Sequence, residues 1–82
     1  MTSMKDLLDL LNMRVSYLND GGVRVDGVLE EVWSNGWQTR VTVYHGSDPA
    51  RRRDGEVYRR NFAFRPSQDF RLFDSRLDMV GT

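Results

Sequence analysis

The apolar positions change their period at residue 13 of an 82-residue chain. Before it, Met4, Leu7, Leu8 and Leu11 recur at the spacing of one helical face, and Ser3 with Asp6 three residues on can form a reciprocal cap. This predicts a short amphipathic helix over about residues 4–12, whose apolar stripe must lie on something. From Met13 the period becomes two: Met13, Val15 and Tyr17 alternate with Arg14 and Ser16 until Asn19, Asp20, Gly21 and Gly22 supply a turn. A second strand continues through Val23, Val25, Gly27 and Leu29, and a third runs from Trp37 to His45 with Thr39, Val41 and Val43 on one side. Residues 45–55 read as a polar loop. Glu56 to Arg65 reads as a fourth strand with Tyr58, Phe62 and Phe64 on one face, ended by Pro66; Asp69 to Asp74 reads as a short fifth, and residues 77–82 as a fraying tail.

These elements make a mainly β single domain over residues 1–82: a short helix, then a five-stranded, strongly bent antiparallel sheet or small barrel over about residues 13–74. Closure is expected because it removes the exposed edges that five short strands would otherwise leave. No internal repeat or low-complexity segment interrupts the pattern.

The hairpin around Ser34, Asn35 and Gly36 admits two registers. A two-residue turn at Asn35-Gly36 sends Trp33 and Trp37 to opposite faces, whereas a three-residue loop pairs them directly. The three-residue register also aligns Leu29 with Val41, Gly27 with Val43 and Val25 with His45 on one face, and Glu30 with Arg40 on the other. The alternative mixes apolar and charged residues on both faces. Because a one-residue slip inverts every side chain, the coherent pattern is favoured, predicting a same-face Trp33/Trp37 pair with Gly27 providing a bend.

Residues 14–32, RVSYLNDGGVRVDGVLEEV, resemble the first half of the Sm-like (LSm, Hfq-type) barrel, with Gly22 as its turn glycine and Gly27 and Leu29 as its Gly-x-Leu. The run YRRNFAF at 58–64 is similar to that family's second motif on its fourth strand, with Arg60 in place of a glycine. The resemblance implies a small SH3-like or Sm-like barrel. Sm-like proteins usually hold a nucleotide base with an aspartate six and an asparagine ten positions after the motif glycine, and those positions are Trp33 and Trp37 here. The stretch DFRLFDSRLDMV resembles the closing run of WYL domains, which belong to the same barrel class, although the triplet that names them is absent.

Twelve cations balance twelve carboxylates, so no global field draws the chain to nucleic acid. The balance is local, however: residues 1–31 carry a net −3 and residues 32–65 a net +4. Eleven of the twelve cations are arginine, whose planar fork suits phosphates, carboxylates and aromatic faces, although GC-rich codon usage produces the same bias. The absence of cysteine removes disulfides and thiolate metal sites and suits a reducing, cytoplasmic compartment. The N-terminal segment mixes acids with leucines, unlike a signal peptide or a membrane span. A chain this small buries a modest core, so a partner or a homo-oligomer would help to stabilise it.

Catalytic chemistry finds little material. His45 is a lone histidine expected at an edge or facing solvent, no nucleophile turn or glycine-rich phosphate loop is present, and Glu30 and Glu31 should alternate across a strand. The aspartates at 6, 9, 69, 74 and 78 lack metal-loop spacing, so no metal and no cofactor is expected. The candidate binding residues are Trp33, Trp37, Arg40, Arg51, Arg52, Arg53, Arg59, Arg60 and Arg65. Arg51 to Arg53 are diluted by Asp48, Asp54 and Glu56; Arg59 and Arg65 should share one strand face and Arg60 the other, paired with a carboxylate if it is ordinary exterior. The tryptophans either cap a barrel or stack on a base or partner. The first expectation is a non-enzymatic module binding single-stranded RNA or DNA. The second is a small regulator or inhibitor that docks on a larger protein through the tryptophan hairpin.

Overall fold

The structure is a computed structural model that describes residues 2–46 and 58–78. The predicted cap starts the chain's first element: Ser3 Oγ accepts from the Asp6 amide at 3.2 Å, and the Asp6 carboxylate accepts from the Ser3 amide at 3.0 Å. Helix α1 spans Met4–Asp9, shorter than expected. It stops because Asn12 turns left-handed, with φ 66°, and its amide donates to the Leu29 carbonyl at 2.6 Å, passing the backbone to the sheet.

Five strands follow: β1 Arg14–Leu18, β2 Arg24–Ser34, β3 Thr39–Tyr44, β4 Arg59–Ala63 and β5 Arg71–Leu72. They form one antiparallel sheet in the order β4-β3-β2-β1-β5. The expected strand-paired closure does not occur. β5 is two residues long and spends both on Val15 and Ser16 of β1, which leaves none to pair with β4. A 310 turn, Pro66–Gln68, precedes β5, and helix α2, Ser75–Asp78, occupies the start of the expected tail. Residues 79–82 of that tail, and the start of the expected fourth strand at Glu56 and Val57, lie outside the described residues.

One face of the sheet, here the inner face, carries the core. Val15 and Tyr17 of β1, Leu29 of β2, and Val41 and Val43 of β3 pack under Leu7 of α1 and Leu10 just after it, and against Phe70. Tyr17 stacks on Phe62 with ring centroids 5.2 Å apart and on Phe70 at 4.7 Å, so side chains join β1 to β4 although two strands separate them.

The β2–β3 hairpin adopts neither expected register. Ser34 pairs with Thr39, Trp33 with Arg40, Val32 with Val41 and Glu31 with Thr42; the pairing then shifts by one, so that Leu29 faces Val43 and Val28 faces Tyr44. Glu30 is the extra residue of a β-bulge, and the loop is the four residues from Asn35 to Gln38. The bulge inverts alternation: Leu29 points inward before it and Val32 packs against the core after it, while Glu30, Glu31 and Trp33 face outward. The two glutamates therefore share a face instead of alternating.

Gly27 of β2 leaves no room for a side chain against the end of β3. A Cβ there would collide with the Tyr44 carbonyl oxygen and lie 2.7 Å from Val43 Cγ1, and the backbone oxygen has nowhere to go. Gly27→Ala is expected to destabilise the fold by about 1–3 kcal/mol, the usual range for overpacking, read as a lower urea midpoint with an unchanged slope.

Candidate binding surfaces

The hairpin tip is built by its asparagine. Asn35 Oδ1 accepts from the amides of Trp37 at 3.1 Å and Gln38 at 2.8 Å, while the Asn35 amide donates to the Gln38 carbonyl at 3.2 Å. The Gly36 amide donates to Ser34 Oγ at 3.2 Å, and Gly36 takes φ 99°, which its lack of a Cβ permits. Trp37 is thus held in the loop, not in β3, with 84% of its surface exposed. Trp33 lies on the outer face opposite Arg40 and is 48% exposed. The predicted Trp33/Trp37 cross-strand pair is absent, because a four-residue loop replaces the three-residue one, and neither indole caps the core.

The candidate arginines divide by partner. Arg59 makes a two-pronged ion pair with Glu30, Nε to Oε1 at 2.6 Å and Nη2 to Oε2 at 3.0 Å, with both side chains less than one-fifth exposed. Its guanidinium also covers the Tyr44 ring at 5.0 Å. The expected Glu30–Arg40 pair is therefore replaced, and Arg40 Nε instead donates to Asn61 Oδ1 at 2.6 Å. Arg60 faces inward as alternation requires, but among the described residues it forms no ion pair, against the expected carboxylate partner. Arg65 lies beyond the end of β4 and lines a recess with Arg60, so it does not share a face with Arg59. Arg51, Arg52 and Arg53 lie outside the described residues.

Two adjoining recesses open on the inner side. One, of about 230 Å³, is lined by Asn19, Asp20 and Gly21 of the β1–β2 turn and by Arg60, Phe62, Arg65 and Gln68 across from them. The other, of about 310 Å³, is lined by Val25, His45 and Tyr58; Tyr17, Asn19 and Arg60 border both.

His45, expected at an edge or facing solvent, lies just past the end of β3 and is half-buried. Its Nδ1 lies 3.1 Å from the Asp26 carbonyl and must carry the hydrogen, so Nε2 accepts from the Tyr17 hydroxyl at 2.8 Å. Burial pushes the His45 pKa below its ordinary value; the Arg60 cation acts in the same direction, and the Asp26 hydrogen bond opposes them. Burial also pushes the Tyr17 hydroxyl up to about 12, with Arg60 pulling the other way. Sequence reasoning missed this pair because its partners are 28 positions apart and meet only through the sheet.

No protein-family model, curated protein or solved structure matches the chain. The domain is thus described by its architecture, a short N-terminal helix and a five-stranded antiparallel sheet, and is assigned to no family. Among the described residues no three histidine, cysteine or carboxylate groups gather as a metal site, and no helix is long and apolar enough to cross a membrane.

The His45 shift has a definite sign. The folded state binds the proton less readily than the unfolded chain, so its contribution to stability is intact above the ordinary histidine pKa and is lost as pH falls through the lowered folded value. An NMR titration should find the His45 ring changing charge below the ordinary histidine range. Chemical unfolding should show an acid-side loss of stability that His45→Gln diminishes.

Proposed function

We propose that this chain is a small non-enzymatic interaction module that docks on a larger protein through the Trp37 hairpin. The observation that carries the reading is an indole 84% exposed on a loop pinned by the Asn35 side chain. An aromatic side chain that enters a partner's pocket removes roughly 150–250 Å² from water, and a loop already fixed in place loses little entropy on binding. Trp33, half-exposed on the adjoining strand, extends the apolar surface, and Arg40 beside it supplies a polar rim. The lack of cysteine supports a reducing, cytoplasmic setting for such a module.

A second reading, single-stranded nucleic acid, is favoured by one observation: Arg60 and Arg65 line one recess and neither is committed to a carboxylate among the described residues. With either partner, we place the domain in the SH3-like or Sm-like small-barrel class. That placement rests on the element order and on the Tyr17–Phe62 contact that spans the inner face.

Trp37→Ala tests the first reading. The variant should melt within about 0.5 kcal/mol of the parent, as exposed positions do, yet lose a partner that the parent retains from host extract. Adding that purified partner to the parent should shift tryptophan emission to the blue. Undiminished retention by Trp37→Ala would remove the reading. A partner that is single-stranded RNA or DNA, with affinity falling steeply as salt rises, would replace it by the second.

A further inference from the structure

Four of the side chains lining the 230 Å³ recess, Asn19, Arg60, Arg65 and Gln68, carry N–H donors, beside the apolar Phe62 and Ala63 and the Asp20 carboxylate. Asn19 Oδ1 is occupied twice, accepting from the amides of Gly21 at 2.9 Å and Val23 at 3.0 Å. Gln68 Oε1 is occupied by the Arg65 amide at 2.8 Å. Flipping either carboxamide would set NH2 against backbone N–H, so both orientations are fixed and both NH2 groups remain for the recess. Among the described residues neither NH2 has a hydrogen-bond partner, although Gln68 is only 7% exposed. The Gln68 NH2 is not sealed in the core but remains accessible from the recess it lines, so whatever occupies that recess supplies its partner.

Arg60 and Arg65, both solvent-exposed, also line it. The one opposing charge in the lining is Asp20, which is solvent-exposed and forms no ion pair with either arginine. The four donor side chains come from two sides, Asn19 from the β1–β2 turn and the other three from the segment that runs from β4 through Arg65 into the 310 turn. A planar carboxylate presents two oxygens in one plane, whereas a tetrahedral phosphate offers oxygens in several directions and suits donors placed around it. The space is smaller than the roughly 300–1,000 Å³ of a drug-sized site, enough for a charged group. The neighbouring 310 Å³ recess, walled by Val25, His45 and Tyr58, can take what that group is attached to.

We infer that this recess binds a small ligand through its phosphate group, held by Asn19, Arg60, Arg65 and Gln68. The site is separate from the Trp37 hairpin, and its test reads different side chains.

Heteronuclear NMR of the full chain provides that test, following the side-chain NH2 signals of Asn19 and Gln68. Inorganic phosphate and adenosine monophosphate are titrated in separate arms at low salt, with sodium chloride at matched ionic strength as reference. Both NH2 signals should move saturably with phosphate or nucleotide and not with chloride. Equal affinity in the two arms assigns the site to free phosphate; tenfold tighter nucleotide, roughly, assigns it to a phosphate ester reaching the second recess. Arg60→Gln should weaken binding by about tenfold or more, and Arg76→Gln, on α2, should not. Asn19→Asp retains the acceptor for Gly21 and Val23 while replacing the donor with a negative charge, so it should abolish binding in a chain that still folds. Signals unmoved at millimolar ligand, or Asn19→Asp binding like the parent, would overturn the site.

Discussion

One extra residue in β2 governs the arrangement of both faces. Glu30 interrupts the ladder with β3, and its carboxylate leaves on the outer side, where Arg59 meets it with two hydrogen bonds over the Tyr44 ring. A carboxylate so little exposed is tolerable only with such a partner. The geometric result is that Leu29 and Val32 both reach the core across a three-residue interval, which uninterrupted alternation forbids. Had the ladder run straight, Trp33 would have followed Leu29 inward. Its place on the outer face, beside Arg40, is a consequence of the bulge.

The inner face shows how a core becomes a recess within one strand. Phe62 joins the aromatic stack with Tyr17 and Phe70, but the preceding inward position on β4 is Arg60, paired in register with Val43. An apolar side chain there would continue the stack and extend the core. The cation instead keeps that end hydrated, and the groups around it are correspondingly polar: the Tyr17 hydroxyl held by His45, the Asn19 amide at the turn and Gln68 in the 310 turn. β4 therefore serves both packing and chemistry, residue by residue.

Much of the architecture was legible because it rests on local chemistry. The Ser3–Asp6 cap, the turn at Asn19 to Gly22, the strand periods on either side of it and the stop at Pro66 are each signalled within a few residues. The hairpin was misread because its register depends on a bulge and a loop length that shift the parity independently. A signal was present: Leu29 and Val32, separated by two glutamates, cannot both face inward in a regular strand. Strand-paired closure was expected from the need to remove edges, but β5 is too short to supply it. The His45–Tyr17 bond and the donor-lined recess join positions far apart in sequence, which no periodicity reports.

The zero net charge illustrates the same separation between sum and arrangement. On the outer face carboxylates take up arginines in turn: Asp26 holds Arg14 at 2.8 Å, Glu30 holds Arg59 at 2.6 Å, and Asp69 holds Arg24 at 2.7 Å. Each such pair adds nothing to the distant field. Arg60 and Arg65, both solvent-exposed, line the inner recess with Asp20 as the single carboxylate in its lining, so net positive charge gathers there. A chain neutral overall can therefore attract an anion at one place. What makes that place selective is less the two charges than the two carboxamides, whose oxygens are already tied to backbone amides and whose remaining valence is donor only.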